Sequence, residues 1–285
     1  MNRLGQYIKL CKINLSLFSA LSAATGFMLV RPALTTEIIS AAAGVFFLAC
    51  GSCALNQYQE RRTDALMDRT KNRPIPSGNI KPLNALYFSI SLLITGFLIL
   101  LSAGSLSAFL LAACAVILYN GIYTYLKKKT AFASVPCAVI GAIPPAIGWA
   151  AGGGRFPDRQ IAAVCFLFYI WQITHFWILF LSHGDDYKKA GLPSLTDVFS
   201  QDQLVRIVFI WIFATAVTCM LTPLYGLMTS GVSNLLLVPV TVWLLWNGLK
   251  LIRGTGNTFI YHFAFNRMNI YILLVMLLLT IERMI

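Results

Sequence analysis

Apolar runs of roughly 20 residues, the length that crosses a bilayer as a helix, recur about nine times along this chain and leave room for few other architectures. They fall near 13–30, 38–55, 85–102, 106–126, 137–152, 161–181, 204–224, 233–250 and 264–281. In hydrocarbon every backbone amide must find its partner within the protein, so such runs are expected to be helical. Only 11% of the 285 residues are charged, against about 25% in soluble domains. The expected fold is therefore all-α, a polytopic bundle making one integral-membrane domain over residues 1–285. The first run is long enough to span and has no clear small-residue cleavage site, so it reads as a span and not as a cleaved leader.

A net charge of +12 would fit nucleic acid if it formed one surface. Here the basic residues sit in short loops between apolar runs, where they report topology, and no nucleic-acid partner is expected. Of the 22 Lys and Arg residues, all but Arg31, Arg155, Arg159 and Arg283 fall on the side of the N-terminus. That side is expected to be cytoplasmic in a plasma (bacterial inner) membrane, with the C-terminus outside. The acids on it occupy two loops only: Glu60, Asp64 and Asp68 after the second run, and Asp185, Asp186, Asp197 and Asp202 after the sixth. The loops after the fourth and eighth runs are basic without acids. This period of four helices implies two four-helix units and a ninth helix. The seven cysteines lie almost entirely in or beside apolar runs, and the single Cys50-x-x-Cys53 reads as buried small residues.

Asn56, Glu60, Asp64 and Asp68 recur every four residues, with no Gly or Pro before Pro74. Read as a helix, they form one stripe. Adjacent acids at this spacing repel by a few tenths of a kcal/mol per pair, so a cation is expected on the stripe, either a neighbouring arginine or a metal. Two carboxylate clusters on one membrane face, interleaved with Arg and Lys, suit Mg²⁺ and a phosphate-bearing ligand. Magnesium takes one or two carboxylates and completes its octahedron with phosphate and water. An apolar bundle beside such a site offers a dry sleeve for a hydrocarbon chain. The blander reading is a set of interfacial loops salt-bridged to one another and to membrane lipid.

NQYQERRTD resembles the first aspartate motif of the UbiA superfamily of membrane prenyltransferases. DALMDRTKNRPIPSG, YTYLKKKT, GAIPPAIGWAAG and HFW followed by DDYKKAGLPSL resemble, in order, its protoheme IX farnesyltransferases. The resemblance implies farnesyl diphosphate and haem b as substrates and Mg²⁺ as cofactor. A vinyl group of haem would attack an allylic cation and water would complete a hydroxyethylfarnesyl product. It carries Asn56, Glu60, Asp64 and Asp186 over as catalytic, metal-holding residues. Arg69, Lys71 and Arg73 in the RTKNRP segment and Tyr123 and Lys127 of a Tyr-x3-Lys motif are carried over as diphosphate or haem contacts; His175, Asp185 and Tyr187 are candidate contacts beside them. Glu60 stands where the family usually has Asp, and Arg62 where relatives often have another Asp. An oxidase assembly partner is conceivable on this reading, without a residue to mark it.

His175, inside the sixth run, is a functional candidate as an ionisable group at membrane depth, or else a neutral hydrogen-bonded core histidine. His183 and His262 read as interfacial. Two alternatives stand beside haem farnesylation: the same chemistry on a quinone precursor or other aromatic, and a transporter. The acids lie at one face and not at mid-bilayer, which disfavours transport. If the partner of Asp64 is a metal, Asp64→Ala abolishes turnover with little effect on insertion.

Overall fold

The structure, a computed structural model, describes residues 3–254 and 256–285. Among these, nine helices are long and apolar enough to cross a membrane. They are α1 (Ile13–Val30), α2 (Thr36–Asp64), α3 (Pro82–Ser102), α4 (Leu106–Leu126), α5 (Ala131–Ala151), α6 (Arg159–Lys189), α7 (Gln201–Met220), α8 (Gly231–Arg253) and α9 (Thr258–Glu282). The boundaries follow local chemistry. Pro82 opens α3, where its missing N–H costs nothing. Asp158 caps α6 by accepting from the Gln160 amide at 2.7 Å. Between α3 and α4 the chain turns at Gly104, whose φ of 75° suits glycine.

Two helices outrun the bilayer. α2 has 29 residues and α6 has 31, so at ~1.5 Å per residue each is longer than 40 Å, against ~30 Å of hydrocarbon. Both carry acids in their C-terminal turns, Glu60 and Asp64 in α2 and Asp185 and Asp186 in α6. α2 stops at Asp64, and residues 65–80 run on as successive turns. The expected continuous stripe is thus corrected at its last member, because Asp68 lies beyond the helix. α6 bends at His183 (φ −136°, ψ 19°), which redirects its last turn.

The contacts resolve two four-helix groups. Within α2–α5 and within α6–α9, consecutive helices touch and the fourth packs back on the first. α1 lies between the groups, against α2, α5 and α9. The additional helix is thus the first in the chain. α1 and α5 approach backbone to backbone: a Cβ at Gly26 would overlap the Pro145 carbonyl oxygen, and one at Gly148 that of Ala23. Small residues let membrane helices gain dispersion contact where no hydrophobic drive exists between them. Pro144 and Pro145 sit inside α5 at this seam.

Candidate active site

A cavity of about 890 Å³ opens between α1, α2, α4, α5, α6 and α9. α2 brings Asn56, Glu60 and Asp64 to its polar end, one turn apart on one face. Glu60 is 4% exposed and Asp64 fully buried. Carboxylates this deep need charge partners. Arg73 Nη1 donates to both Asp64 oxygens, at 2.7 and 2.9 Å. The Lys127 ammonium pairs with Glu60. In this structure, then, the neighbouring cations on the stripe are a lysine and an arginine. Even so, Glu60 Oε1 and the nearby Gln57 Oε1 have no aligned hydrogen-bond donor. The Asn56 amide donates to Thr124 Oγ1 at 3.1 Å, which leaves its oxygen as the end available to a ligand.

α4 meets this face through an irregular stretch. Ile117–Tyr123 is wound as a π-helix, and such stretches recur at functional sites. Asn120 donates to Ser52 O at 3.0 Å and Gln59 donates to Asn120 O at 3.0 Å, which locks α4 to α2. Tyr123 and Lys127, one turn apart, thereby reach the cavity, with the Lys127 ammonium 5.5 Å from the Tyr123 ring centre.

Arg69, Arg73, His175 and Tyr187 also line the cavity. Lys71 does not; it pairs with Asp68 at 2.7 Å. Asp185 is exposed and away from the cavity wall. Asp186 accepts from the backbone amides of Asp68 and Arg69, at 3.2 and 3.1 Å. It is not part of the cavity wall, and it fastens the loop that carries Arg69. Arg62 is exposed. Asp68 also pairs with Lys189, and the two lysines hold its pKa down at about 2, Lys189 first and Lys71 second.

Lys9 and Lys12 join the polar end, and sequence reasoning missed both, reading them only as topology signals. Lys12 sits in the left-handed region (φ 44°, ψ 57°) between the short helix Arg3–Leu10 and α1. Gln57 anchors that junction by donating to Leu10 O at 2.9 Å. No ion pair holds Lys12 among the described residues. Lys9, Lys12, Arg69, Arg73 and Lys127 thus face two carboxylates, an excess of positive charge that calls for an anion. Away from this end the wall turns apolar, with Val45, Leu48, Val116 and Ile147.

Among the described residues no three His, Cys, Asp or Glu side chains converge as a closed metal cage. What is present is two carboxylates and an amide oxygen. That fits a hard cation held jointly with phosphate oxygens, as magnesium usually is.

Comparison with known proteins gives a concordant picture. The family model described as the UbiA prenyltransferase family matches residues 16–273. Protoheme IX farnesyltransferase of Geobacter sulfurreducens is 37% identical over 241 residues, spanning 82% of this chain and 89% of that protein. The protein of the same name from Oleidesulfovibrio alaskensis is 33% identical over 267 residues, 93% of this chain and 92% of its own. Among solved structures, one concerning digeranylgeranylglyceryl phosphate synthase superposes with a TM-score of 0.76 at 16% identity, covering 100% of this chain and 99% of that one. A UbiA homologue from Archaeoglobus fulgidus bound to GPP and Mg²⁺ gives 0.66 at 17% identity, over 95% and 99%. At such identities the structural likeness speaks for the fold.

Proposed function

The chain belongs to the UbiA prenyltransferase family, and on that premise we propose that it transfers the farnesyl group of farnesyl diphosphate to a vinyl group of protohaem IX. That it is a multi-pass membrane prenyltransferase follows from the family. The observation that carries the finer reading is the cavity itself: a cation-rich polar end with two buried carboxylates, continuous with an apolar sleeve. The names of the relatives support farnesyl and haem.

Asn56, Glu60 and Asp64 would hold Mg²⁺ together with the diphosphate. When bound there, the metal supplies Lewis-acid charge against the departing diphosphate. Arg73 and Lys127 are the exchangeable partners. In the substrate-free arrangement they neutralise Asp64 and Glu60; with diphosphate present they turn to its oxygens and release the carboxylates to the cation. Lys12 and Arg69 complete the anion cradle, since guanidinium and ammonium groups stabilise charge that grows in the transition state. The Tyr123 ring, beside Phe176 at 5.6 Å, shields the allylic cation. The apolar wall holds the hydrocarbon and keeps water from the cation. The diphosphate leaves with the bonding pair, the vinyl π electrons form the new carbon–carbon bond, and water adds to the resulting cation with loss of a proton.

Asp186, expected as a fourth ligand, serves on this reading to fix Arg69. The decisive experiment incubates the purified protein with haem b, farnesyl diphosphate and Mg²⁺, and extracts the porphyrins for mass spectrometry. A hydroxyethylfarnesyl haem is the expected product. Its absence, with prenylation of an aromatic acid instead, assigns the chain to a quinone-type acceptor and sinks the haem reading.

A further inference from the structure

His175 belongs to α6 and faces the cavity. The rings of Trp171, Phe176 and Phe265 surround it at centroid distances of 5.2, 6.0 and 4.5 Å. Its Nδ1 lies 3.0 Å from Asn269 Oδ1. An amide oxygen only accepts, so Nδ1 carries the hydrogen and Nε2 keeps its lone pair. The ring makes no other hydrogen bond among the described residues. An imidazole with one nitrogen tied to an oxygen and the other free is how proteins present a metal ligand, the tied oxygen fixing both tautomer and ring plane.

The surroundings say which metal. A bare transition ion needs three or four protein ligands, and no three His, Cys, Asp or Glu side chains converge among the described residues. A single imidazole among aromatic rings suits a metal that arrives inside a flat, largely apolar macrocycle. Such a chelate brings four equatorial nitrogens and asks the protein for an axial ligand only. The neighbour in sequence, Phe176, touches Tyr123, so a macrocycle held at His175 borders the diphosphate end of the cavity.

We infer that His175 Nε2 is the axial ligand of the iron of the protohaem substrate, with Asn269 as its positioning residue. This rests on the haem reading above and deepens it. The bond is a lone-pair donation to iron, with no proton or electron transferred. It fixes the macrocycle at its centre, which commits the vinyl-bearing edge to a set distance from the wall.

The test titrates the full-length protein in nanodiscs with ferric and ferrous protohaem, without farnesyl diphosphate, and reads absorption and resonance Raman spectra. The ferrous wild type is expected to show an iron–histidine stretch. His175→Ala is expected to lose that signature and to bind haem on the order of 10-fold more weakly (~1.4 kcal/mol). His175→Gly is expected to regain an imidazole-ligated spectrum when free imidazole is added, which a merely structural histidine would not produce. Asn269→Leu should lower the stretch by removing the hydrogen bond on Nδ1. Haem binding by the wild type without a histidine signature overturns the ligation and leaves the haem reading intact. No haem binding, together with prenylation of an aromatic acid, overturns both. His183→Ala and His262→Ala, which lie outside the cavity wall, are expected to keep the histidine signature, and its loss in either one with retention in His175→Ala overturns the assignment to His175.

Discussion

At the scale of single residues, the two buried ion pairs carry the consequences. Asp64→Ala is expected to lower turnover by at least about 100-fold, the scale of losing one charge-stabilising group. It also strands the Arg73 guanidinium, and an unpaired buried charge costs roughly 3–5 kcal/mol. The Arg73 contact thus adds a cost in stability to the expected loss of turnover. Asp64→Ala with Arg73→Ala should recover much of the thermal stability and none of the activity. Recovery of both would show the pair to be structural. Lys12→Ala removes a cation that has no protein ion-pair partner among the described residues, so folding should survive. The KM for the prenyl diphosphate should rise about 10-fold, worth ~1.4 kcal/mol. An unchanged KM would remove Lys12 from the anion cradle. Lys12 was visible in the sequence as a charge, but a charge beside a span reads as topology until the fold turns it inward.

At the scale of elements, the seam between α1 and α5 is set by what is missing from Gly26 and Gly148. Gly148→Ala puts a methyl group against the Ala23 carbonyl, so the helices must separate. Overpacking of this kind costs about 1–3 kcal/mol. The expected outcome is a lower melting temperature in detergent and a widened cavity, read as weaker binding of the prenyl diphosphate. Wild-type melting would show that α5 can shift freely. The nine spans among the described residues were legible because twenty apolar residues admit one solution in hydrocarbon. The π-helical turn of α4 was not. It depends on Asn120 reaching Ser52 and Gln59 across to α2, contacts that no periodicity within α4 records. The end of α2 at Asp64 was likewise hidden, since Ala65–Asp68 contains no helix breaker and the stop is made by later partners, Thr70 donating to Asp64 O at 2.8 Å.

At the scale of the whole molecule, the two four-helix groups meet over the cavity, and their acidic loops are tied by Asp68. Its carboxyl is held at about 2 against an ordinary 3.8, by Lys189 and then Lys71. A depressed carboxylate contributes fully above its ordinary value and is lost as the pH falls through the folded one. The loop over residues 65–80 should therefore loosen as the pH drops from 3.8 toward about 2, read as new pepsin cleavage inside it. Lys189→Met removes the larger cause and should move the onset to higher pH. An unmoved onset would show that Lys189 does not hold the loop. Chelation offers a complementary check: EDTA should abolish turnover, and Mg²⁺ should restore it, with the melting temperature of the substrate-free protein unchanged.

The sequence alone determined the class of fold, the number of spans, the charge asymmetry between the two sets of loops and the stripe Asn56–Glu60–Asp64. Each is local or additive: apolar length, loop charge and a four-residue period survive without knowledge of what lies opposite. Tertiary structure decided the rest. It paired Asp64 with Arg73 and Glu60 with Lys127, turned Lys12 into the cavity, and set Asp186 on the Asp68 and Arg69 amides. It also made the first helix the one between the units. These depend on which of several chemically equivalent charges comes within a few ångströms of another, and that distance is fixed by helix packing far along the chain.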